Sequence, residues 1–294
     1  MLPDTATLAT AIECDCGVQV ATDHWQPVSG GDINQVFRVP GPDGDLFLKI
    51  NSKDCLEHFA AESEGLAELS RAEDLVVPAT LGTGLCSQTA WLLLEWLDLS
   101  GSKPVAAAAC GRALAHVHRL SRVQFGWHRD NVIGSTPQRN QDERDWVCFY
   151  SQQRLQPQLQ LAAANGAPAS LLNAGERLCA DLAKFFSVYL PVPSLLHGDL
   201  WGGNWAALPD NSPVFFDPAV YYGDREADLA MTRLFGGFPD GFYAAYNEAW
   251  PLDAGHAERI ELYNLYHVLN HFNLFGGGYA AQAEGMLERL LGLI

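Results

Sequence analysis

The chain has 294 residues, of which 48% are hydrophobic and 18% are charged, a composition typical of a soluble globular protein. Its formal net charge of −17 argues against nucleic acid or an anionic membrane as a partner, because both require a basic surface. The sequence has no stretch long and apolar enough for a membrane span and no basic start before an apolar core, so we expect a cytoplasmic protein without an export signal.

The first candidate site is a glycine-rich turn within residues 29–39, which the sequence predicts to be a β-hairpin. Gly30 and Gly31 can adopt positive φ without steric cost, so backbone amides of this turn could approach phosphate oxygens. Asn34 belongs to the same segment. We predict nucleotide contacts from these three residues; the alternative is an ordinary hairpin with no ligand.

A lysine stands in a predicted buried strand at residues 45–50. Alternation places Phe47 and Lys49 on one face and three aliphatic side chains on the other. Burying an ammonium without a partner is costly, so Lys49 requires an anion. Residues 59–69 predict a helix, in which Glu62 is the first candidate partner and Glu64 the second. Alternatively, both glutamates are solvated surface charges.

A second apolar strand is predicted at residues 91–97. It runs through a continuous hydrophobic stretch and reaches Glu95. From its order along the chain, we predict that the backbone around Glu95, Trp96 and Leu97 meets adenine.

The order of predicted strands and helices divides the chain near residue 97. Residues 1–97 alternate short strands with one helix and predict a nucleotide-binding lobe, whereas residues 98–294 are mostly helical and predict a catalytic and acceptor-binding lobe. The helices predicted in this second part are 105–120, 143–163, 171–190, 225–234, 256–275 and 280–291.

The most informative stretch is residues 195–204, followed by an apolar strand that ends at Asp217. Asp199 precedes Asn204 by five residues on a glycine-rich loop, a spacing typical of phosphoryl-transfer sites. Asp199 would accept the proton of the attacking hydroxyl, and Asn204 and Asp217 would hold Mg²⁺ against the phosphates of a nucleotide. The predicted fold is therefore α+β and two-lobed, like that of protein kinases. The alternative is a pair of ordinary turns.

Candidate acceptor-binding residues lie close to this loop. Recognition of a sugar requires an aromatic platform and several directed hydrogen bonds. The candidates are Trp201, Tyr221, Tyr222, Asp224, Arg225 and Glu226. For Arg225, Glu226 and the nearby Asp228 the alternative is an internal charge network with acidic groups at a helix N-terminus.

Several motifs together resemble one family. They are residues 125–127, 134–138, 197–204 and 221–238. With them the sequence resembles the fructosamine (ketosamine) kinases, within the aminoglycoside and choline phosphotransferase branch of kinase-like proteins. Aminoglycoside and choline kinases share Asp199 and Asn204 but do not usually show Trp201.

The resemblance implies ATP-dependent phosphorylation of the 3-hydroxyl of a ketosamine, such as fructosyl-lysine or ribulosyl-lysine, free or on a glycated protein. The phosphorylated adduct then decomposes and frees the amine. By matching positions, it implies Asp199 as base, Asn204 and Asp217 as metal ligands, and Lys49 with Glu62 at the phosphates. The other candidates are a kinase of another cationic alcohol, such as an aminoglycoside or choline-like amine, and a catalytically silent nucleotide-binding protein. The sequence leaves open the choice between ATP and GTP and the oligomeric state.

Overall fold

An antiparallel sheet of five strands, in the order β1-β2-β3-β5-β4, forms the centre of the N-terminal part of the chain. The computed structural model describes residues 4–28 and 33–294. The strands are β1 (Gln26–Pro27), β2 (Gln35–Gly41), β3 (Gly44–Ser52), β4 (Thr80–Cys86) and β5 (Thr89–Glu95). In this register Lys49 lies opposite Val36 of β2 and Leu92 of β5.

Each face of the sheet is covered by one helix, because strand residues alternate between the faces. Leu48 of β3 packs on one face with Leu8 and Ile12 of helix α1 (Thr5–Cys16). Phe47 packs on the opposite face with Phe59 of helix α2 (Leu56–Leu69). The predicted strand and its two faces are therefore confirmed.

Helix α1 was not predicted from the sequence, although its ends carry recognisable signals. The Asp4 side chain accepts a hydrogen bond from the backbone N–H of Thr7, as an N-cap residue does. At the other end Gly17 adopts φ +74° and donates its N–H to the Glu13 carbonyl, which terminates the helix.

A short hairpin of β9 (Trp205–Ala207) and β10 (Pro213–Phe215) joins the N-terminal part. Residues 4–28, 33–106 and 206–218 form a first compact unit, and residues 107–205 and 219–294 form a second. Residues 98–106 and 206–218 thus group with the first unit. The functional division at residue 97 stays a prediction.

The second unit is mainly helical. Its helices are α3 (Lys103–Arg119, which begins in the first unit), α4 (Trp146–Phe149), α5 (Gln156–Ala164), α6 (Ala169–Asp181), α7 (Glu226–Leu234), α8 (Asp240–Ala249), α9 (His256–Phe275) and α10 (Tyr279–Gly292). Two short ladders accompany them, β6 (Asn131–Ile133) with β7 (Thr136–Gln138), and β8 (Ser194–Leu196) with β11 (Tyr221–Gly223). Helix α9 packs against α5, α7 and α10.

The helix predictions are confirmed most closely for α9, and they differ from the structure in three places. A π-helical turn, Tyr150–Leu155, separates α4 from α5 within the helix predicted at 143–163. The helix predicted at 171–190 ends earlier, with α6 followed by a 3₁₀ segment at Leu182–Phe186. Val188 and Leu190 beyond it are almost fully exposed, so no packed face holds them in a helix. Helix α8 was not predicted.

Within the described ranges, no helix is both long and apolar enough to cross a bilayer.

Candidate active site

Lys49 lies on the face of β3 that packs against α2, and only 4% of its surface is exposed. Its Nζ lies 2.7 Å from Oε1 of Glu62 on α2, and it also contacts Oδ1 of Asp217. All three residues belong to the first unit. Of the two glutamates considered, Glu62 therefore forms this ion pair, while Glu64 follows two residues later on α2.

The two carboxylates decide the protonation state of this lysine. Burial alone would lower the pKa of Lys49, but the charges of Asp217 and Glu62 outweigh burial and raise the pKa above its ordinary value. Burial also raises the pKa of Glu62; the Asp217 charge adds to this effect and Lys49 opposes it. The two carboxylates therefore favour the charged form of Lys49, which is a suitable group to bind phosphate.

Asp217 follows the buried strand β10 and adopts a left-handed backbone conformation, with φ +55°. Aspartate tolerates this conformation better than most residues. About half of its side chain, 48%, is exposed, in contrast to 13% for Glu62. The Asp217 carboxylate therefore combines a contact to Lys49 with access to solvent, as a metal ligand requires.

The glycine-rich turn is only partly described. Gly30 and Gly31 lie outside the described residues. Asn34 is described, and its Oδ1 accepts a hydrogen bond of 2.8 Å from Nδ2 of Asn51, which also donates to the carbonyl of Ile33. Asn34 is thus attached to β3 two residues beyond Lys49. Its nucleotide contact stays a prediction.

Strand β5 ends at Glu95, where adenine contacts were predicted. The Glu95 N–H donates to the Ala79 carbonyl, and Glu95 Oε2 accepts from the Ala79 N–H at 3.3 Å. The Trp96 ring packs against Phe47, with the Arg38 guanidinium 4.7 Å from its centroid. These contacts hold the strand end in place. The adenine contacts of Glu95, Trp96 and Leu97 stay predictions.

The second unit carries the loop that follows β8. Asn204 Nδ2 donates to the Asp199 carbonyl at 2.9 Å and to Asp199 Oδ2 at 3.0 Å, so the predicted base and metal ligand are brought together. The Asn204 N–H donates to the Trp201 carbonyl, which closes the turn. Gly198 adopts φ +82°, and a Cβ there would lie 2.0 Å from the Ala219 carbonyl oxygen. Only glycine fits at this position.

A buried aspartate on helix α7 holds the start of this loop. Asp228 accepts hydrogen bonds from the N–H groups of His197, at 2.7 Å, and Gly198, at 2.8 Å. His118 Nε2 lies 3.1 Å from the same carboxylate, and its Nδ1 lies 2.8 Å from the Tyr246 hydroxyl. Burial would raise the pKa of Asp228, but these hydrogen bonds outweigh it and lower the pKa.

The charged residues predicted to bind the acceptor lie inside the second unit. Asp224 is fully buried and accepts from the hydroxyls of Tyr189, at 2.9 Å, and Tyr263. Burial, with the nearby charge of Glu226, raises the pKa of Asp224 to about 6. Both oxygens of the Asp224 carboxylate therefore accept hydrogen bonds from groups of the protein itself.

Glu226 and Arg225 are likewise committed to internal partners. Glu226 forms a bidentate ion pair with Arg259, whose Nε lies 2.7 Å from Oε2 and whose Nη2 lies 3.0 Å from Oε1. Arg225 donates to the carbonyls of Trp250 and Pro251. For Arg225 and Glu226 these contacts are those of the internal charge network, and Asp224 belongs to the same buried cluster. The acceptor roles of all three residues stay predictions.

The aromatic candidates differ in exposure. Tyr221 and Tyr222 are about 95% buried, where Tyr221 stacks with Phe149, whereas Trp201 is 40% exposed. The exposed ring of Trp201, two residues after Asp199, is therefore the better placed platform for an acceptor. Its role in acceptor binding stays a prediction, as do those of Tyr221 and Tyr222.

A family model described as fructosamine kinase matches residues 5–292, nearly the whole chain. The chain belongs to the fructosamine kinase family. A probable ketoamine kinase of Synechocystis sp. is 40% identical over 290 residues, which cover 97% of this chain and 96% of the relative. The family resemblance stated from the motifs is therefore confirmed.

Solved structures support the fold. A candidate fructosamine-3-kinase from Thermobifida fusca has a TM-score of 0.86 and 34% sequence identity, with 97% of this chain and 98% of the other covered. A thermostable mutant of an aminoglycoside phosphotransferase has a TM-score of 0.62 and 13% identity, with 97% and 98% covered. At that identity the likeness concerns the fold alone. The predicted α+β, kinase-like fold is confirmed.

One buried cluster of this fructosamine kinase family member was not assembled from the sequence. Asn131 Nδ2 donates to the Val220 carbonyl, and Gln138 Nε2 donates to the Ala219 carbonyl, so two side-chain amides hold the backbone that follows Pro218. Gln138 also donates to Asn131 Oδ1 at 2.9 Å. The only local signal was the polar character of the short strands β6 and β7.

Arg154 extends this cluster and was missed entirely. It is fully buried, donates to Asn140 Oδ1 at 2.7 Å, and has its guanidinium carbon 4.0 Å from the Tyr221 ring centroid. A buried guanidinium normally has an anionic partner, whereas the partners described for Arg154 are carbonyl oxygens and aromatic rings. Its neighbours in the sequence are mostly polar, among them Gln152, Gln153 and Gln156, so no local signal marked this arginine as buried.

Proposed function

We propose that this protein transfers the terminal phosphoryl group of ATP to the 3-hydroxyl of a ketosamine, such as a fructosyl- or ribulosyl-amine, free or on a protein lysine. The observation that carries the reaction class is the buried Lys49 with Glu62 and Asp217 in contact with it. A charged lysine held by a helix carboxylate, next to an exposed aspartate, is the arrangement by which kinases bind nucleotide phosphates and a metal. The acceptor follows from the family and from the ketoamine kinase that resembles this chain.

Each of the two predicted metal ligands carries an oxygen that suits magnesium. Mg²⁺ prefers hard oxygen ligands and usually keeps water or phosphate oxygens in its shell, so two protein oxygens suffice. Asp217 offers a half-exposed carboxylate. Asn204 directs its amide nitrogen toward Asp199, so its Oδ1, on the other side of the amide, would be the metal ligand. Bound magnesium and ATP would supply the phosphoryl group and neutralise charge on the phosphates.

The remaining steps belong to side chains of the loop after β8. The Asp199 carboxylate would take the proton of the 3-hydroxyl as the new oxygen–phosphorus bond forms. One hydrogen bond from Asn204 Nδ2 orients this carboxylate, and the bonds from the His197 and Gly198 N–H groups to Asp228 hold the loop that carries it. Trp201 would place its exposed ring against the sugar. The 3-phosphorylated adduct then decomposes and frees the amine, which is a deglycation reaction.

The test is magnesium-dependent ADP release with four acceptors in parallel: fructosyl-lysine, ribulosyl-lysine, choline and an aminoglycoside. We expect turnover of the ketosamines by the wild type. Asp199→Ala should lower the rate by roughly 10²–10⁴ while leaving ATP affinity nearly unchanged, because a general base acts in the chemical step. Asp210→Ala, in an exposed turn, is the matched control. Turnover of only choline or the aminoglycoside would overturn the proposed acceptor, and full activity of Asp199→Ala would overturn the proposed base.

A further inference from the structure

Two exposed aromatic side chains stand out on the second unit. Among the large hydrophobic side chains that are exposed in residues 4–28 and 33–294, only Trp201, at 40%, and Phe275, at 64%, are aromatic. Single exposed aliphatic residues are normal on protein surfaces. Two exposed aromatic rings that belong to one connected surface require an explanation, because such patches commonly mark binding sites.

Ring contacts connect the two residues. The Trp201 ring meets Phe235 edge-on, with centroids 6.5 Å apart, and Phe235 lies 4.8 Å from His271. His271 in turn lies 5.6 Å from Phe275 and 5.2 Å from Tyr279. We call these five residues the aromatic surface. It comes from three separate segments of the chain, so its continuity is a product of the fold.

The end of the aromatic surface at Trp201 lies in the proposed catalytic loop. Trp201 follows Asp199 by two residues, and its N–H donates to the Asp199 carbonyl. A Cβ at Gly203 would lie 2.3 Å from the Trp201 ring, so the ring lies directly against the loop backbone and only glycine permits this approach. The aromatic surface thus begins beside the proposed base and extends from it through Phe235 and His271 to Phe275.

The middle of the surface has a fixed orientation. His271 Nδ1 lies 2.8 Å from the His267 carbonyl, and since a carbonyl only accepts, Nδ1 carries the hydrogen. His271 and Phe275 are four residues apart on helix α9 and therefore lie on the same side of it. Tyr279 begins helix α10, after three consecutive glycines. The ring positions are therefore set by two helices rather than by a loop alone.

We infer that the aromatic surface binds the N-linked substituent of the ketosamine and that it favours substituents with an aromatic or bulky apolar group. The inference rests on the proposed function, in which Trp201 contacts the sugar and Asp199 its hydroxyl. A ketosamine carries its amine substituent on the carbon next to the carbonyl, so a substituent that leaves the sugar along the Trp201 ring meets Phe235 and then Phe275. Aromatic rings favour apolar and aromatic contacts and attract a protonated amine.

The test compares two acceptors that share the sugar and the α-amino acid charges: ribulosyl-phenylalanine and ribulosyl-glycine. For the wild type we expect kcat/KM to be about 10- to 100-fold higher for the phenylalanine adduct, the usual range for one buried apolar group. The difference should lie in KM, since contacts distant from the reacting atoms bind substrate and transition state alike. Phe275→Ala should lower the ratio between the two adducts several-fold, because Phe235 remains, and Phe275→Leu should lower it less.

Val188→Ala is the control, because Val188 is 90% exposed and lies outside the aromatic surface. It should leave the ratio unchanged, and thermal unfolding should show that all variants are folded. Asp199-dependent turnover with equal kcat/KM for the two adducts, or a ratio that Phe275→Ala does not alter, would overturn the inference and leave the proposed function intact. Absence of turnover with every ketosamine would instead overturn the proposed function, and the inference with it.

Discussion

The carboxylate of Asp228 accepts a hydrogen bond of 2.7 Å from the backbone N–H of His197, two residues before the proposed base Asp199. Gly198 donates to the same carboxylate from the next position. Asp228 is 1% exposed and lies on helix α7, whose packing against α9 holds it in place. The position of the catalytic loop therefore depends on a helix 30 residues later in the chain.

Asp228→Asn should impair the chemistry more than binding. Each backbone N–H donates to a different oxygen of the carboxylate, and asparagine replaces one of these oxygens with an NH2 group that cannot accept. One buried donor therefore loses its partner, which costs about 1–3 kcal/mol. We expect kcat to fall by roughly 10- to 100-fold with a small change in KM, together with a lower Tm. Steady-state kinetics and calorimetry check this, with the exposed turn variant Asp210→Asn as control. An unchanged kcat would show that Asp228 does not position the loop.

Glu62→Gln should weaken nucleotide binding. It removes one of the two charges that keep Lys49 protonated, although the glutamine oxygen can still accept from Nζ. We expect KM for ATP to rise by about tenfold, because the lysine is oriented less well toward phosphate. Glu57→Gln, exposed in the first turn of the same helix, is the control. Equal KM values for the wild type and Glu62→Gln would contradict the role assigned to this ion pair.

Asp217→Asn should change the magnesium dependence. A neutral amide binds Mg²⁺ less well than a carboxylate, so the magnesium concentration that gives half-maximal rate should rise by about tenfold or more. ATP affinity should fall with it, since the metal binds together with the phosphates. Titration of ADP release with MgCl₂ measures both effects. If the magnesium requirement is that of the wild type, Asp217 is not a metal ligand.

Asp224 should contribute a pH-dependent term to stability. Its pKa is raised from an ordinary value of 3.8 to about 6 in the folded protein, so between these values the folded state binds more protons than the unfolded state. The contribution of Asp224 to the free energy of unfolding is therefore largest below pH 4 and decreases as pH rises through 6, by up to about 3 kcal/mol.

Asp224→Asn removes this titration. We expect the free energy of unfolding of the wild type, minus that of the variant, to decrease as pH rises from 4 to 7. Urea denaturation at a series of pH values measures it. A difference independent of pH in that range would show that the Asp224 carboxyl is not held by burial and Glu226 in the way described.

Sequence alone determined the features that depend on local pattern. The alternation around Lys49 predicted its strand and both faces, because neighbouring strand residues point to opposite sides. The spacing from Asp199 to Asn204 predicted a phosphoryl-transfer loop, because both polar residues lie in one short glycine-rich segment. The family resemblance followed from the same local runs.

Only the tertiary structure decided the partners of the polar groups. Asp217 contacts Lys49 although the two residues are 168 positions apart in the sequence, and Glu62 rather than Glu64 forms the described ion pair with Lys49. The sequence left Arg225 and Glu226 open between acceptor contacts and an internal network, and their burial agrees with the network. Local sequence fixes which way a side chain points along its own helix or strand, but whether it meets solvent or another charge depends on the segments packed against it, which lie far away in the chain.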